Sequence, residues 1–202
     1  MKCASSLEHL PKPCCPVCSG SITEEICPDC SDREVYYDRN ISLYRYEGSA
    51  EKLIRALKFS GRRDLASFIG SESASFVVSA GCSPDIITFI PAVPSRERSR
   101  GYNQSKLIAE KLSSRLGIPV QRLLLVNEHG DQKKMHFNER FLNILGRFEP
   151  AGGADIRGKK ILIVDDVFTT GATVNEAARI LKKMGARMVF SLTIARVAVK
   201  KS

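Results

Sequence analysis

The stretch ILIVDDVFTTGATVNEAARIL, residues 161–181, places two adjacent aspartates, Asp165 and Asp166, directly after four apolar residues. A continuous apolar run is typical of a parallel strand covered on both faces, so we expect the strand to end at the acidic pair. Small and hydroxyl-bearing residues follow from Thr169 to Thr173, and apolar residues then recur at helical spacing until Gly185. This order predicts a strand, a short polar loop and a helix. In α/β proteins such a helix N-terminus binds phosphate groups.

Length and composition restrict the class of protein. The 202 residues fit one α/β domain with a small accessory element, and 43% hydrophobic residues are enough to form a core. No apolar run approaches the roughly 18 residues of a membrane span, and the N-terminus lacks the apolar stretch of a secretion signal. These features predict a cytoplasmic protein without membrane insertion. A net charge of +9 favours anionic partners such as nucleotides, phosphorylated sugars, nucleic acids or acidic proteins.

Two Cys-x-x-Cys pairs lie near the N-terminus, and they are Cys15 with Cys18 and Cys27 with Cys30. Two thiolate pairs at this spacing can surround one zinc ion tetrahedrally, and disulfides are disfavoured in the cytoplasm. We therefore predict a structural zinc ribbon that folds largely because of its metal, with Gly20 in the turn after the first pair. A redox-active dithiol is the alternative interpretation, and Cys14 could replace Cys15 as a ligand.

The segment after the cysteines is predicted to connect the ribbon to the core. Residues 35–49 are rich in β-branched and aromatic types and end near a glycine, which indicates a short pair of strands. Two helices interrupted near Gly61 follow, because apolar residues recur there at helical spacing. Three basic residues lie at this break, and a solvated basic surface is their simplest interpretation. They are Lys58, Arg62 and Arg63.

The rest of the chain alternates strand and helix patterns, as α/β cores do. A strand at 86–90 and a helix at 104–116 enclose a loop with three arginines, and further strands are predicted near 120–126 and 187–197. Guanidinium groups at the carboxyl edge of a parallel sheet are suited to bind a pyrophosphate or a nucleic-acid backbone. An ordinary solvated loop is the alternative. The three arginines are Arg96, Arg98 and Arg100.

The stretch 161–181 resembles the phosphoribosyl diphosphate signature of type I phosphoribosyltransferases. In that family the acidic pair holds the ribose hydroxyls beside a magnesium-bound substrate, and the loop holds the 5-phosphate. The resemblance assigns these roles to Asp165 and Asp166, and to Thr169, Thr170, Gly171, Ala172 and Thr173. Backbone donors and a helix dipole do favour a dianion, and carboxylates accept hydrogen bonds from vicinal hydroxyls. The alternative is an ordinary strand-to-helix turn with two solvated aspartates.

A wider resemblance covers nearly the whole chain. The chain is similar to the ComF/GntX family of competence protein F-like proteins in its cysteine pairs and in the acidic signature. Three further segments belong to the resemblance, namely YRYEG (44–48), LIRALKFSGRR (53–63) and IPAVPSRERSRGYNQSKLIAEKL (90–112). The spacing of five later residues also matches, and these are Gln132, Met135, Arg140, Asn143 and Phe148. This resemblance implies a small N-terminal zinc ribbon with four cysteine ligands in residues 1–34. It implies an α/β fold for residues 35–202, with a type I phosphoribosyltransferase-like parallel sheet flanked by helices. Residues 35–82 would form a hood or connecting segment, and residues 83–202 the core.

The same resemblance extends the phosphoribosyl diphosphate site to other segments. It places two arginines in the pyrophosphate loop and three basic residues in the segment that closes over the donor in catalytically active relatives. These are Arg96 and Arg100 in the loop, and Lys133, Lys134 and Arg140 in the closing segment. Thr169 stands where purine-salvage enzymes have an aspartate that acts as general base, which disfavours a 6-oxopurine acceptor. Orotate-type and adenine-type relatives lack that aspartate too, so the acceptor stays open.

Two functions are compatible with these motifs. The first is a phosphoribosyltransferase-like protein that binds phosphoribosyl diphosphate with Mg²⁺ and acts in DNA uptake during natural transformation, with an unknown acceptor. The second is a non-catalytic module of the competence machinery. Its basic loops would bind single-stranded DNA while the zinc ribbon docks a helicase or an uptake protein.

Overall fold

The computed structural model describes residues 6–10, 12–22, 27–31, 33–127 and 146–197. Its helices are α1 (Pro28–Ser31), α2 (Gly48–Phe59), α3 (Leu65–Ser79), α4 (Pro94–Arg100), α5 (Gln104–Leu116) and α6 (Ala172–Lys183). Its strands are β1 (Arg39–Arg45), β2 (Ile86–Phe89), β3 (Leu124–Val126), β4 (Phe148–Pro150), β5 (Lys160–Phe168) and β6 (Met188–Arg196). None of the described helices has the length and hydrophobicity needed to cross a bilayer.

Four strands form a parallel sheet in the order β1-β6-β5-β2, and β3 and β4 form a separate antiparallel pair. The side chains of β5 alternate between two apolar clusters on opposite faces of the sheet. Leu162 and Val164 pack in the cluster that contains residues of α2, α3 and α5, whereas Ile161 and Ile163 pack in the cluster that contains residues of α6. Because both faces are covered, this part of β5 is apolar without interruption.

Several helix limits follow the sequence signals and confirm the predicted helices. The two helices on either side of Gly61 are α2 and α3. At the start of α5, the Asn103 side chain accepts a hydrogen bond from the backbone N–H of Lys106, and the helix ends at Gly117 in the left-handed region. The helix after the acidic pair ends just before Gly185, which has a φ of 92°. Local capping chemistry therefore sets the limits of α5, and a left-handed glycine follows the end of α6.

Two predictions for the connecting segments are wrong, and a third is confirmed only in part. Residues 35–49 hold one strand, β1, which joins the main sheet parallel to β6 instead of pairing locally. The arginine loop is a helix, α4, with Pro94 in its first turn and a left-handed Gly101 after its end, and these residues are known start and stop signals. The strand predicted near 120–126 is present but shorter, as β3, and it pairs antiparallel with β4. The residues before it contact β2 of the main sheet through a bridge between Val120 and Ile87 and a hydrogen bond from Leu123 N–H to Thr88 Oγ1.

The strand before the polar loop is longer than predicted. β5 continues through the acidic pair to Phe168, whereas the apolar run predicted an end at Val164. The reason is that β6 pairs with β5 along its whole length, while β2 pairs with it only as far as Val164. The acidic pair therefore lies in the half of β5 that has a single neighbouring strand.

Candidate functional site

Asp165 lies just beyond the point where β2 stops pairing with β5. The residue is partly buried. Its Oδ1 accepts a hydrogen bond of 3.1 Å from Ser105 Oγ in α5 and one of 2.9 Å from the backbone N–H of Asp166. These two donors hold the carboxylate at the carboxyl end of the sheet, which is where open α/β sheets bind their ligands.

Asp166 is more buried than its neighbour, with 6% of its surface exposed. Its Oδ1 lies 2.8 Å from Nζ of Lys58 at the end of α2, and its Oδ2 accepts a hydrogen bond of 2.7 Å from Nε2 of Gln104. Lys58 thus provides the counter-charge of a buried carboxylate, so its interpretation as part of a solvated basic surface is wrong. The hydrogen-bonded pair joins α2 to β5.

The protonation of Asp165 is influenced by its burial and by the neighbouring carboxylate. Burial and the charge of Asp166 raise the pKa of Asp165 to about 7, well above the ordinary range of an aspartate. The Asp165 carboxyl group is therefore only partly ionised near neutral pH, and a nearby cation would favour its ionised form. Carboxylate oxygens of this kind accept hydrogen bonds from ribose hydroxyls and from the water ligands of Mg²⁺.

The loop from Thr169 to Thr173 turns sharply into α6. Gly171 has a φ of 81°, and a Cβ atom placed on it would lie 2.5 Å from Cζ of Phe168. Only glycine fits this turn, because a side chain would be strained and would also collide with a buried ring. The backbone N–H of Asn175 donates to the Gly171 carbonyl and starts the helix. The loop therefore leads directly into a helix N-terminus, which favours anions.

A cavity of about 430 Å³ lies between the end of α2 and α4. Three cationic side chains line it, from Lys58, Arg96 and Arg100. Phe59 also lines it and is 68% exposed as a residue, and the Arg100 guanidinium carbon lies 5.0 Å from the centroid of its ring. Arg100 Nη1 also donates to Gln104 Oε1 at 3.1 Å, and Gln104 in turn donates to Asp166. The cavity is thus linked to the acidic pair by hydrogen bonds.

The third arginine of α4, Arg98, lies apart from Arg96 and Arg100. Arg98 lines a different cavity, of about 360 Å³, together with Arg122 and Glu149. Only Arg96 and Arg100, of the three arginines in α4, therefore line the cavity next to the acidic pair. Lys133, Lys134 and Arg140 lie outside the described residues.

The four paired cysteines come together in one buried cluster. The Sγ atoms of Cys15, Cys18, Cys27 and Cys30 all lie within 4.8 Å of one another. A tetrahedral zinc ion with Zn–S bonds of about 2.3 Å needs sulfur atoms about 3.8 Å apart, and the Cys18 and Cys27 sulfurs are 3.6 Å apart. The cluster therefore fits zinc. Cys14 lies outside it, and the left-handed residue of the turn is Ser19, with a φ of 58°, rather than the predicted Gly20.

Residues just after the cysteine cluster contact the loop and the first turns of α6. Arg33 Nη1 donates to the Thr170 carbonyl at 3.2 Å. Asn175 Oδ1 accepts a hydrogen bond of 2.7 Å from the backbone N–H of Tyr36, and Asn175 Nδ2 donates to the Glu34 carbonyl. The chain segment that leaves the cluster is therefore attached to the polar loop. The proposed domain boundary between residues 34 and 35 remains a prediction.

Comparison with known proteins places this geometry in a family. Residues 103–202 match the phosphoribosyl transferase domain. Competence protein ComFC of Bacillus subtilis strain 168 is 31% identical over 208 residues, which cover 96% of this chain and 82% of that protein. The chain belongs to the ComF/GntX family. DNA utilization protein YhgH of Escherichia coli K12 is 29% identical over 187 residues, covering 88% of this chain and 82% of that protein.

Among solved structures, glutamine phosphoribosylpyrophosphate amidotransferase from B. subtilis, in complex with ADP and GMP, aligns with a TM-score of 0.49 and 19% identity. The alignment covers 70% of this chain and 30% of that chain. The domain match, the parallel sheet with helices and the N-terminal cysteine cluster confirm the predicted fold class of this ComF/GntX member.

In this ComF/GntX chain, sequence reasoning missed three polar neighbours of the acidic pair, namely Lys58, Gln104 and Ser105. Lys58 and Gln104 lie 108 and 62 residues before Asp166, so no local pattern links them to it. The available signal was the family resemblance, because LIRALKFSGRR and the segment ending in YNQSKLIAEKL both belong to it.

Lys58→Met is expected to lower the thermal midpoint, because it leaves the buried Asp166 carboxylate without its counter-charge. The side chain of Lys58 is 21% exposed, so we expect a loss of about 2 kcal/mol rather than the roughly 3 to 5 kcal/mol of a fully buried pair. Lys52→Met, at an exposed lysine of the same helix, is the control. A double-mutant cycle with Asp166→Asn should show a coupling energy above about 0.5 kcal/mol, and additive effects would contradict the pairing.

Proposed function

We propose that this protein binds phosphoribosyl diphosphate together with Mg²⁺ at the carboxyl end of β5 and acts in DNA uptake during natural transformation, with the acceptor left open. The observation that carries the proposal is the adjacency of a carboxylate pair to a glycine turn at a helix N-terminus. Few ligands require both features, but a phosphoribosyl group does, because its ribose hydroxyls need acceptors beside a phosphate. Relatives named competence and DNA utilization proteins support the biological role.

Each group of the chain has a distinct task in this proposal. Asp165 and Asp166 accept hydrogen bonds from the ribose hydroxyls, and the amides and hydroxyls of residues 169–173 bind the 5-phosphate. Arg96 and Arg100 lie at the cavity beside the pair and balance the charge of the pyrophosphate. Mg²⁺ supplies further positive charge for the pyrophosphate oxygens when it is bound with the donor. The family resemblance assigns the task of closing over the donor to Lys133 and Arg140, which lie outside the described residues.

Calorimetry with phosphoribosyl diphosphate, with and without Mg²⁺, tests the site without requiring the acceptor. Asp165→Asn keeps an oxygen for the Ser105 and Asp166 donors but removes the charge. We expect the affinity to fall about tenfold or more, given about 1.5 to 3 kcal/mol for a hydrogen bond to a charged group. Asp64→Asn, at an exposed aspartate, is the matched control. Wild-type affinity in Asp165→Asn would show that the ligand does not bind here.

The same variant should change the pH dependence of stability. Since the folded-state pKa of Asp165 is raised to about 7, its stabilising contribution is complete below the unfolded value near 4 and is lost as pH rises towards 7. Asp165→Asn should therefore have a higher thermal midpoint than wild type at pH 8, and the difference should shrink at pH 5. Lower affinity combined with unchanged or higher stability separates a binding residue from a structural one.

The proposal also includes one structural zinc ion held by Cys15, Cys18, Cys27 and Cys30. All four residues are buried and close enough to surround a single ion. Four thiolates with no other donor type select zinc or another soft cation over Mg²⁺. The ion would organise a segment that has few regular elements of its own in the described residues, namely a short α1 and a bridge between Cys14 and Ser21.

Single-stranded DNA binding is the second candidate function, and the exposed ring of Phe59 beside three cations favours it. Such a site would stack a base on the ring and bind phosphates with the basic side chains. Phe59→Ala should weaken binding of an oligothymidylate about fivefold or more, because stacking contributes about 1 to 3 kcal/mol per base. Val78→Ala is the control, since Val78 is 65% exposed but lies in α3, away from the cavity lining.

Salt dependence separates phosphate contacts from stacking in the same experiment. The logarithm of the affinity should fall steeply with the logarithm of salt concentration, and Arg96→Gln should reduce that slope by about 0.7. Equal affinities at low and moderate salt, or equal effects of Phe59→Ala and Val78→Ala, would count against this candidate.

A further inference from the structure

Arg196 reaches the cysteine cluster from the opposite end of the chain. It is the last residue of β6, and its Nη2 donates to Cys18 Sγ at 3.4 Å across a sequence separation of 178 residues. The backbone N–H of Gly20 donates to the same sulfur at 3.4 Å. Cys18 therefore receives two donors, one from the turn of the cysteine module itself and one charged donor from the core sheet.

The cysteine turn leaves room for this guanidinium at Gly20. A Cβ atom on Gly20 would lie 3.0 Å from Arg196 Nη2 and 3.2 Å from Cys18 Sγ. Gly20 is not among the residues with positive φ, so the left-handed conformation does not explain its presence. Close approach of the arginine to the sulfur does explain it. The absence of a side chain at Gly20 therefore leaves space for the contact between the Arg196 guanidinium and Cys18 Sγ.

The charge of Arg196 also needs a partner. Its Nε is buried and has no hydrogen-bond partner among the described residues. A buried donor of this kind is costly unless an anionic group lies nearby. Four thiolates around a divalent zinc ion carry a net charge of about −2, and a guanidinium beside one of them offsets part of it. The two charges therefore stabilise each other when metal is bound.

We propose that Arg196 is a positioning residue of the metal site, which stabilises the metal-bound thiolate of Cys18 by a charged hydrogen bond. Polar groups that contact a metal ligand typically raise metal affinity about 10- to 100-fold. Arg196 does so from the core, and its register partner in β5 is Phe168, the ring that fills the space beside Gly171. The metal site therefore includes a residue of the parallel sheet as well as the four cysteines.

Chelator competition on the full-length protein measures the contribution of Arg196 to zinc affinity. Arg196→Met keeps the aliphatic length but removes charge and donors, and it should weaken zinc binding about tenfold or more. Arg196→Lys keeps the charge and should recover most of the affinity. Arg45→Met is the matched control, because Arg45 is exposed and lies next to Arg196 in register, on β1. Wild-type zinc affinity in Arg196→Met would overturn the proposal.

The absorption spectrum of the cobalt-substituted protein supplies a readout that loss of packing alone would not move. Loss of a hydrogen bond raises the energy of the thiolate lone pair, so the sulfur-to-cobalt charge-transfer band of Arg196→Met should shift to longer wavelength. Arg45→Met should keep the wild-type band. If Arg196→Met does not fold, Arg196→Gln serves in its place, because it removes the charge but keeps a polar head. An unshifted band and unchanged zinc affinity in Arg196→Gln would equally overturn the proposal.

Discussion

Replacing Cys27 and Cys30 together by serine is expected to abolish stoichiometric zinc binding and to lower the thermal midpoint by about 10 °C or more. Two of the four sulfurs in the buried cluster are lost, and hydroxyl groups do not replace thiolates as zinc ligands. Zinc binding contributes about 10 to 16 kcal/mol to the folding of small zinc modules, and 1 kcal/mol corresponds to about 2 to 4 °C in a chain of this size. Metal analysis and calorimetric melting measure the two effects.

The loss of zinc should also destabilise the polar loop before α6. Arg33 donates to the Thr170 carbonyl, and Asn175 in α6 makes hydrogen bonds with the segment just after the cluster. Amide hydrogen exchange of residues 168–173 should therefore become faster in the double variant. Cys82→Ser is the control, because Cys82 is a buried cysteine outside the cluster. Full zinc content and a wild-type midpoint in the double variant would refute the zinc assignment.

The strand, loop and helix of residues 160–183 were predictable because their determinants are local. An apolar run, a set of small polar residues and a helical repeat lie in one continuous stretch, and Gly185 ends it. The adjacency of the acidic pair to the loop followed from the same stretch. The four-cysteine cluster was predictable for a similar reason, since each Cys-x-x-Cys pair is local and only two such pairs had to meet.

The features that the sequence did not predict depend on contacts between distant segments. The composition of residues 35–49 predicts a local strand pair, but the partner of β1 is β6, about 150 residues away, and no turn signal indicates such a pairing. A surface position is the expectation for Lys58, because an isolated lysine near a helix end is usually solvated. Its partner Asp166 lies 108 residues further along the chain. The pairing of Lys58 with Asp166 therefore depends on how α2 packs against the sheet, and no local sequence pattern indicates it.

The helix α4 is a different case, because its signals were present in the sequence. Pro94 at the start and Gly101 at the end delimit a seven-residue helix, and the three arginines between them do not disfavour helical structure. The density of arginines suggested a loop that holds phosphate. In the helix, Arg96 and Arg100 lie four residues apart on one face and line the cavity beside the acidic pair, whereas Arg98 lines another cavity. Helical spacing therefore determines which of the three arginines lie at the site.

Gly171→Ala is expected to reduce the affinity for phosphoribosyl diphosphate about thirtyfold or more. Two effects act at this residue, and either one alone would disturb the loop. The φ of 81° is strained for alanine, at a cost of about 1 to 2 kcal/mol. The new methyl group would also lie 2.5 Å from Cζ of Phe168, whose ring is almost fully buried and cannot move aside freely. The loop must therefore leave its present conformation, and the amides of residues 169–173 lose their arrangement around the phosphate.

Gly158→Ala separates the two effects, because Gly158 has a φ of 71° but no atom within 4 Å of the position that a Cβ atom would take. It should lower the thermal midpoint slightly and leave ligand affinity unchanged. The double variant Gly171→Ala/Phe168→Leu tests the collision itself, since a smaller side chain at residue 168 relieves it and should recover part of the affinity in calorimetry. If Gly171→Ala binds phosphoribosyl diphosphate as tightly as wild type does, the glycine turn is not the phosphate site, because a turn that tolerates this clash cannot be shaping the amides around a bound phosphate.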